Sequence, residues 1–255
     1  MGSAQTSHSG RAAAVRPAGG AAAVAQTGGA AAPGEIARFD ALAARWWDPR
    51  GPMAPLHAMN PLRTAWIAAR LPGPVHLLDV GCGAGLAAEA LARRGHSVLG
   101  IDAAGETLAA GRAHAAGQNL ALEYRLATTG DLVAEGRRFA AITALEVVEH
   151  VPDPAGFLHD LATLLEPGGR LFVSTLNRTA RSLVMAKIGA EYVLRLLPAG
   201  THDWRRFITP AELARDARNA GLRLESAAGM SFDPLRRQWR ESRDLRVNYI
   251  AAFVR

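Results

Sequence analysis

Leu77-Leu78-Asp79-Val80-Gly81-Cys82-Gly83-Ala84-Gly85-Leu86 is the stretch that decides the fold of this chain. A short apolar run passes directly into three glycines at alternate positions, and Gly85 to Arg94 then carries Leu86, Ala90 and Leu91 on one helical face. A buried strand that hands over to a helix through glycines is the opening of a β-α unit. Reading outward, Val75 to Val80 is the first strand, Ser97 to Ile101 the second, Leu120 to Tyr124 the third, Phe139 to Leu145 the fourth and Arg170 to Thr175 the fifth. Thr107 to Ala116 and Phe157 to Leu165 read as helices between them, the latter closed by Pro167-Gly168-Gly169. Repeated β-α units of this size need right-handed crossovers and a parallel sheet covered by helices. The fold class is therefore α/β.

Farther on, Thr209-Pro210-Ala211-Glu212 combines an N-cap, a proline at the first helical position and a glutamate three residues after the cap. That helix is expected to run to about Gly221. Leu222 to Ala227 and Val247 to Phe253 then read as two late strands forming an antiparallel finish to the sheet. Before the core, Phe39, Leu42, Trp46 and Trp47 recur at helical spacing from Glu35 until Asp48, Pro49 and Gly51 stop them. A second helix is expected from Pro61 to Arg70.

Composition bounds the rest. The chain has 255 residues, 49% hydrophobic and 20% charged, which is close to the globular average and excludes wholesale disorder. No segment recurs at a fixed period. No uncharged apolar run reaches the ~18 residues of a spanning helix, and no secretory pattern opens the chain, so a soluble cytosolic protein is expected. Cys82 is the single cysteine, which excludes an internal disulfide framework and a Cys-rich zinc site. The 29 basic and 23 acidic residues give +6, with Lys187 the only lysine; that excess suits anionic surfaces in general. The first 34 residues contain 19 Ala or Gly, no acid and no aromatic. They read as a disordered tail, 1–34, rather than a transit peptide, because only Val15 and Val24 offer an apolar face.

The glycine loop is G-x-G-x-G, with an acid two residues before the first glycine, whereas a dinucleotide fingerprint is G-x-G-x-x-G. Gly81 and Gly83 thus suit a ligand without a pyrophosphate, such as S-adenosylmethionine. Asp102 ends the second strand 21 residues after Gly81, where a carboxylate can accept hydrogen bonds from ribose hydroxyls. No phosphoryl-transfer loop is present. After the fourth strand comes Glu146-Val147-Val148-Glu149-His150. If this segment turns helical, positions i, i+3 and i+4 share a face, and Glu146, Glu149 and His150 converge on a divalent ion. Oxygen-rich ligation favours Mg²⁺. The other reading is a capping Glu and a locally bonded His150 with no metal, and spacing leaves both open.

Taken with these motifs, the chain resembles the ubiquinone-biosynthesis O-methyltransferases, a branch of the class I S-adenosylmethionine-dependent enzymes. The glycine loop and Glu146 to Pro154 are shared across the superfamily. More specific are Arg45-Trp46-Trp47-Asp48, Pro55-Leu56-His57 and Asn60-Pro61-Leu62-Arg63 before the core. After it come Ser174-Thr175-Leu176-Asn177-Arg178, Gly189-Ala190-Glu191-Tyr192, Gly200-Thr201-His202-Asp203-Trp204 and Val247-Asn248-Tyr249. The resemblance spans about Glu35 to Phe253. It implies a Rossmann-like fold with a mostly parallel seven-stranded sheet, an antiparallel last strand, helices on both faces, N-terminal helices and a helical insertion after the fifth strand. The domain is then 35–255, with the insertion at 177–208. Cofactor contacts carried over are Arg63, Gly81, Asp102 and Leu145. Thr128 stands where relatives place an adenine contact, although Leu126-Ala127-Thr128 departs from their acidic or Gln-Glu pattern. The implied reaction is methylation of phenolic hydroxyls on polyprenyl catechol and demethylubiquinol intermediates, with His150 and Glu149 as catalytic residues. Another small apolar acceptor, or a non-catalytic protein that has kept the cofactor pocket, is the alternative. Nucleic acid is not expected, since the aromatics form no stacking strip.

Within the insertion, Ala180 to Leu197 sets Leu183, Val184, Met185, Ile188, Leu194 and Leu197 against a narrow stripe of Lys187, Glu191 and Arg195. Such a face edged by cations fits a helix lying in an anionic bilayer interface, and equally a lid over the site. Peripheral membrane contact through 178–197 is accordingly expected, with the protein in the cytoplasm of a bacterium against its inner membrane and the mitochondrial matrix as the weaker alternative.

Overall fold

The computed structural model describes residues 1, 33–183, 204–233, 235–236 and 238–255. Eight strands, β1 (His76–Val80), β2 (Ser97–Asp102), β3 (Leu122–Leu126), β4 (Phe139–Leu145), β5 (Leu165–Leu176), β6 (Arg223–Asp233), β7 (Gln238–Ser242) and β8 (Asn248–Val254), form one sheet in the order β3-β2-β1-β4-β5-β8-β6-β7. The first five pair in parallel, and β8 runs antiparallel to both β5 and β6. The sheet thus has one strand more than expected. Gln238-Trp239-Arg240-Glu241-Ser242 is five residues long and largely polar, so no apolar alternation announced it, and it pairs antiparallel with β6 at the edge.

Helices cover both faces. α2 (Ala54–Ala68), α3 (Leu86–Ala92) and α4 (Gly105–Ala115) lie on one; α5 (Thr129–Ala134), α6 (Pro154–Leu164) and α7 (Pro210–Asn219) lie on the other. Successive strand residues point to opposite faces, and the packing follows that period of two. Leu78, Val80, Ile142, Ala144, Leu171 and Val173 enter one core, while Leu77, Ala141 and Phe172 enter the other. Both faces are therefore apolar, as a doubly covered parallel sheet requires.

The start of α7 is as the sequence predicts. Thr209 Oγ1 accepts from the Glu212 amide at 3.2 Å, and Glu212 Oε2 accepts from the Thr209 amide at 2.9 Å. Two expectations before the core are corrected. The helix expected from Glu35 is a short α1 (Pro33–Asp40), a turn and a 3-10 helix at Ala43–Arg45. It ends early because Asp40 is drawn across to α4, where its Oδ1 accepts the Thr107 amide at 3.1 Å. The second helix begins at Ala54, not Pro61, and carries Pro61 inside it; the Thr64 hydroxyl turns back onto the Asn60 carbonyl at 2.9 Å. Pro167-Gly168-Gly169 does not end an element but lies in β5, where the pairing with β4 shifts register. Residues 180–183 begin a helical turn, and the rest of the expected amphipathic helix lies outside the described residues, as does the tail at 2–32.

Gly85 is the tightest point of the β1–α3 turn. Its φ is +93°, and a Cβ there would stand 1.6 Å from the Tyr124 hydroxyl. Gly85→Ala is expected to cost more than about 2 kcal/mol in urea unfolding, from strain and overlap together. Tyr124→Phe added to it should recover part of that loss, since the nearest clashing atom is then gone.

Candidate active site

At the carboxyl ends of β1, β2 and β4 lies a cavity of about 510 Å³. Ligands of open α/β sheets bind at this edge. Of the nine residues singled out in the sequence, eight line it: Gly81, Gly83, Asp102, Thr128, Leu145, Glu146, Glu149 and His150. Arg63 does not line it and is buried behind Glu146.

The cofactor half is built on β1 and β2. Asp102 Oδ2 accepts from the Gly83 amide and Oδ1 from the Ala104 amide, each at 2.8 Å. The carboxylate thereby fixes the glycine loop while lining the cavity. Gly83 has φ +55°, and a Cβ there would fall 2.2 Å from the Trp46 ring. The loop is glycine for two reasons: backbone angle and the indole seated on it. Cys82 is buried, and burial pushes its thiol well above the usual range, which fits a loop filler and not a nucleophile. Thr128 is spent locally. Its hydroxyl accepts from the Asp131 amide at 3.2 Å and donates to Asp131 Oδ2 at 2.8 Å, capping α5. Thr128 nonetheless lines the cavity beside Asp102.

The other half is built on the turn after β4. Val148 and Val151 enter the core and Val147 packs on Gly81, which sends Glu146, Glu149 and His150 toward the cavity. Glu146 adopts φ +59°. Its Oε1 accepts from Ser174 Oγ at 2.7 Å and Asn248 Nδ2 at 3.3 Å, with Arg63 Nη1 at 3.5 Å. Glu149 is 4% exposed, and its Oε2 has no hydrogen-bond partner. Burial, then the neighbouring Glu146 charge, raise its carboxyl to about 8.

The expected three-ligand set is not assembled. The segment is a turn closed by His150 N–H to the Val147 carbonyl at 2.8 Å, not a helix. His150 Nδ1 stands 3.2 Å from Glu35 Oε2 instead, with Phe39 edge-on to its ring. Among the described residues no three His, Cys, Asp or Glu side chains are grouped to hold a metal. The two carboxyl groups by themselves do suit a hard cation, since both line the cavity and one buried oxygen of Glu149 is orphaned.

Sequence reading missed the roof. Glu35, Phe39, Leu42 and Trp46 line the cavity from the N-terminal segment, joined by Met53 and Leu56. Trp47 Nε1 donates to the Ala84 carbonyl at 3.1 Å, and its ring stacks on His114 at 3.4 Å. His57 Nε2 meets the Trp46 carbonyl at 2.8 Å, and Asn60 Nδ2 donates to the Leu86 carbonyl at 2.6 Å. The signal was present in the paired tryptophans, whose helical spacing suggested a continuous docking helix rather than a lining.

Comparison with known proteins agrees with this geometry. A methyltransferase-domain family matches residues 56–227. A ubiquinone biosynthesis O-methyltransferase from Xanthomonas axonopodis pv. citri is 48% identical over 223 residues, 87% of this chain and 93% of that protein. Another, from Dinoroseobacter shibae, is 47% identical over 235 residues, with 87% and 95% covered. Among solved structures, magnesium protoporphyrin IX methyltransferase from Synechocystis PCC 6803 with bound SAH aligns with a TM-score of 0.55 at 23% identity. The alignment covers 78% of this chain and 83% of that one. At that identity the likeness is one of fold.

Beneath the loop, Asp79 is 2% exposed; Thr143 donates to its Oδ1 at 2.6 Å, and its Oδ2 has no partner. Burial pushes this carboxyl from 3.8 up to about 6. The folded state therefore binds the proton at a higher pH than the unfolded chain, and Asp79 destabilises the fold above pH 6 and ceases to do so as pH falls toward 4. Relative to Asp79→Asn, the parent chain is expected to gain about 1.4 kcal/mol in urea unfolding between pH 7.5 and pH 5. A pH-independent difference would contradict the assignment.

Proposed function

The chain belongs to the ubiquinone biosynthesis O-methyltransferase family, and we propose that it methylates the phenolic oxygens of polyprenyl catechol and demethylubiquinol intermediates at both O-methylation steps. It is an S-adenosylmethionine-dependent O-methyltransferase. One observation carries the site reading: Gly81, Gly83 and Asp102 open onto the same cavity as Glu149 and His150, so that donor and acceptor can be held within one water-poor space.

Bound S-adenosylmethionine supplies an electrophilic sulfonium methyl. Asp102 is set to accept from ribose hydroxyls, and the Gly81–Gly83 backbone allows close approach. Leu145 gives an apolar surface between the two halves. Arg63 is 3% exposed, with Nε and Nη1 lacking hydrogen-bond acceptors, so it retains donors for the methionyl carboxylate, a pairing a guanidinium makes well. Thr128 lines the same cavity, and its hydroxyl oxygen, which accepts one hydrogen bond in the cap, keeps a lone pair for the adenine amino group. His150 is the group that takes the phenolic proton. Glu35, at ion-pair distance from Nδ1, offsets the positive charge the ring then acquires. Activation is needed because a neutral phenol is a poor nucleophile near pH 7.

The reading also includes a divalent ion, Mg²⁺ by its oxygen donors. Glu146 and Glu149 would hold it, with His150 as the third candidate ligand. Such an ion lowers the pKa of an acceptor hydroxyl. It is supported by the orphaned Oε2 of Glu149 and opposed by the present pairing of His150 with Glu35. Peripheral contact with an anionic bilayer through 178–197, at the cytoplasmic face of a bacterial inner membrane, belongs to the same proposal and rests on the cationic amphipathic pattern of that segment.

With a short-chain alkyl catechol as acceptor, Glu149→Gln and His150→Ala are expected to lower kcat at least about 100-fold. The Kd of S-adenosylmethionine should stay within about threefold. Equal losses in both would move the two residues into the cofactor site. Product mass measured with Mg²⁺ and with EDTA separates the two activation routes. A methylated catechol lost in EDTA and restored by Mg²⁺ supports the ion, as should calorimetric Mg²⁺ binding that Glu149→Gln abolishes. Methylation that survives EDTA leaves His150 alone as proton acceptor.

A further inference from the structure

The β6–β7 hairpin, at the far edge of the sheet from β3, carries apolar side chains in water on the side of the strands' carboxyl ends. β6 pairs with β8 only from Arg223 to Gly229, whereas its pairing with β7 continues from Gly229 to Asp233. Because β8 is antiparallel to both β5 and β6, β6 points the same way as β5, toward the carboxyl edge. Residues 230–233 therefore extend past the start of β8 by four strand residues, about 13 Å. At that overhang Phe232 is 49% exposed and Leu235 is 95% exposed. Phe232 is paired across the ladder with Trp239 at 5.7 Å. The tip is held in shape, since Asp233 Oδ1 accepts from the Leu235 and Arg236 amides at 3.0 and 3.1 Å.

Cations frame this apolar tip. Arg236 and Arg240 are exposed on the tip side of the ladder, and neither is in an ion pair among the described residues. Of the nearby acids, Asp233 caps the tip, Glu241 accepts from Trp66 Nε1 at 3.2 Å, and Asp244 is bound to Arg181 and Arg246. Exposed aromatic and aliphatic groups beside unpaired arginines complement a surface that is apolar within and anionic at its face. The base of the hairpin is also tied to the residues that follow β5. Arg181 Nη1 meets Asp244 Oδ2 at 2.9 Å, and Thr179 Oγ1 donates to the Arg246 carbonyl at 2.6 Å.

We propose that the β6–β7 hairpin is a lipid-binding element that seats the carboxyl end of the sheet on an anionic bilayer, Phe232 and Leu235 entering the interface and Arg236 and Arg240 meeting the headgroups, with Trp239 anchoring Phe232 to the core. The proposal rests on the polyprenyl-acceptor reading for its purpose and on the hairpin's own geometry for its site. It is distinct from the 178–197 segment, to which its base is joined by the Arg181–Asp244 ion pair.

The test is flotation of the full chain with phosphatidylcholine vesicles containing one quarter phosphatidylglycerol, against vesicles of phosphatidylcholine alone. The parent chain is expected to bind the anionic vesicles at least about tenfold more tightly. Phe232→Ser with Leu235→Ser should lose at least about tenfold of that binding, as should Arg236→Glu with Arg240→Glu. Both variants should keep S-adenosylmethionine affinity and turnover of a soluble short-chain catechol within about twofold, which shows that the fold and the cavity are intact. Vesicle binding unchanged in both variants overturns the proposal, as does a parent chain that binds neither vesicle. A dimer that the variants dissociate in size-exclusion chromatography, with no vesicle binding, overturns it in favour of a second copy on this surface. Failure of the acceptor reading shows elsewhere, as a parent chain that floats but methylates no catechol.

Discussion

Glu146 is the point through which the two halves of the site are joined. A side-chain-bearing residue at φ +59° is strained by about 1 kcal/mol or more, and it persists only because its surroundings over-determine it. Here three elements do so: Arg63 from α2, Ser174 from β5 and Asn248 from β8 all reach Oε1, and the Glu146 amide donates to the Ser174 carbonyl at 2.9 Å. The left-handed step then reverses the chain. Val147 is laid on Gly81, Val148 drops into the core, and Glu149 and His150 emerge into the cavity. One strained residue thus sets the register of the cofactor loop against that of the acceptor side.

The charge around it is unbalanced by design of burial. Asp79, Glu146 and Glu149 share Arg63 as their common cation, and fully burying an unpaired carboxylate is costly enough that the group protonates instead. That is why Asp79 and Glu149 are driven upward while Glu146, with two hydrogen-bond donors on its Oε1, remains the natural partner of the guanidinium. Above these charges the roof of Phe39, Leu42, Trp46, Met53 and Leu56 is apolar. Methyl transfer from a sulfonium to a phenolate consumes a cation and an anion together. Walls that solvate charge poorly therefore favour the transition state, in which charge is already being cancelled, over the separated ions.

What the sequence made legible was local chemistry. The glycine loop, Asp102 and the Thr209–Glu212 box could be read because each is specified by a few adjacent residues with one dominant physical need: a turn, a hydrogen-bond acceptor, a satisfied helix end. Arg63 and Leu145 came from likeness to a family and not from spacing. What could not be read were features settled at long range. The break of α1 at Asp40 depends on Thr107, and the tryptophans look helical until Gly83 and Ala84 are known to lie beneath them. Glu35 gave no sign of reaching His150, more than a hundred positions away, and the helical face drawn for Glu146, Glu149 and His150 failed because Val148 and Val151 were needed in the core. β7 stayed hidden because an edge strand needs no buried face.

The residues that mark this family outside the glycine loop acquire a common meaning from these contacts. Trp47, His57 and Asn60 fasten to the Ala84 carbonyl, the Trp46 carbonyl and the Leu86 carbonyl respectively, and Arg63 on the same helix reaches Glu146. They fix the N-terminal segment as a roof over a sheet whose architecture is shared, at 23% identity, with magnesium protoporphyrin IX methyltransferase. The sheet supplies the donor side, through the glycine loop and Asp102. The acceptor side is closed by the roof, whose apolar underside of Phe39, Leu42, Met53 and Leu56 lines the cavity. A roof held by side-chain-to-backbone bonds keeps its place whatever residues line its underside. The lining can therefore be altered to fit a new acceptor without disturbing the fastening or the strained turn it covers.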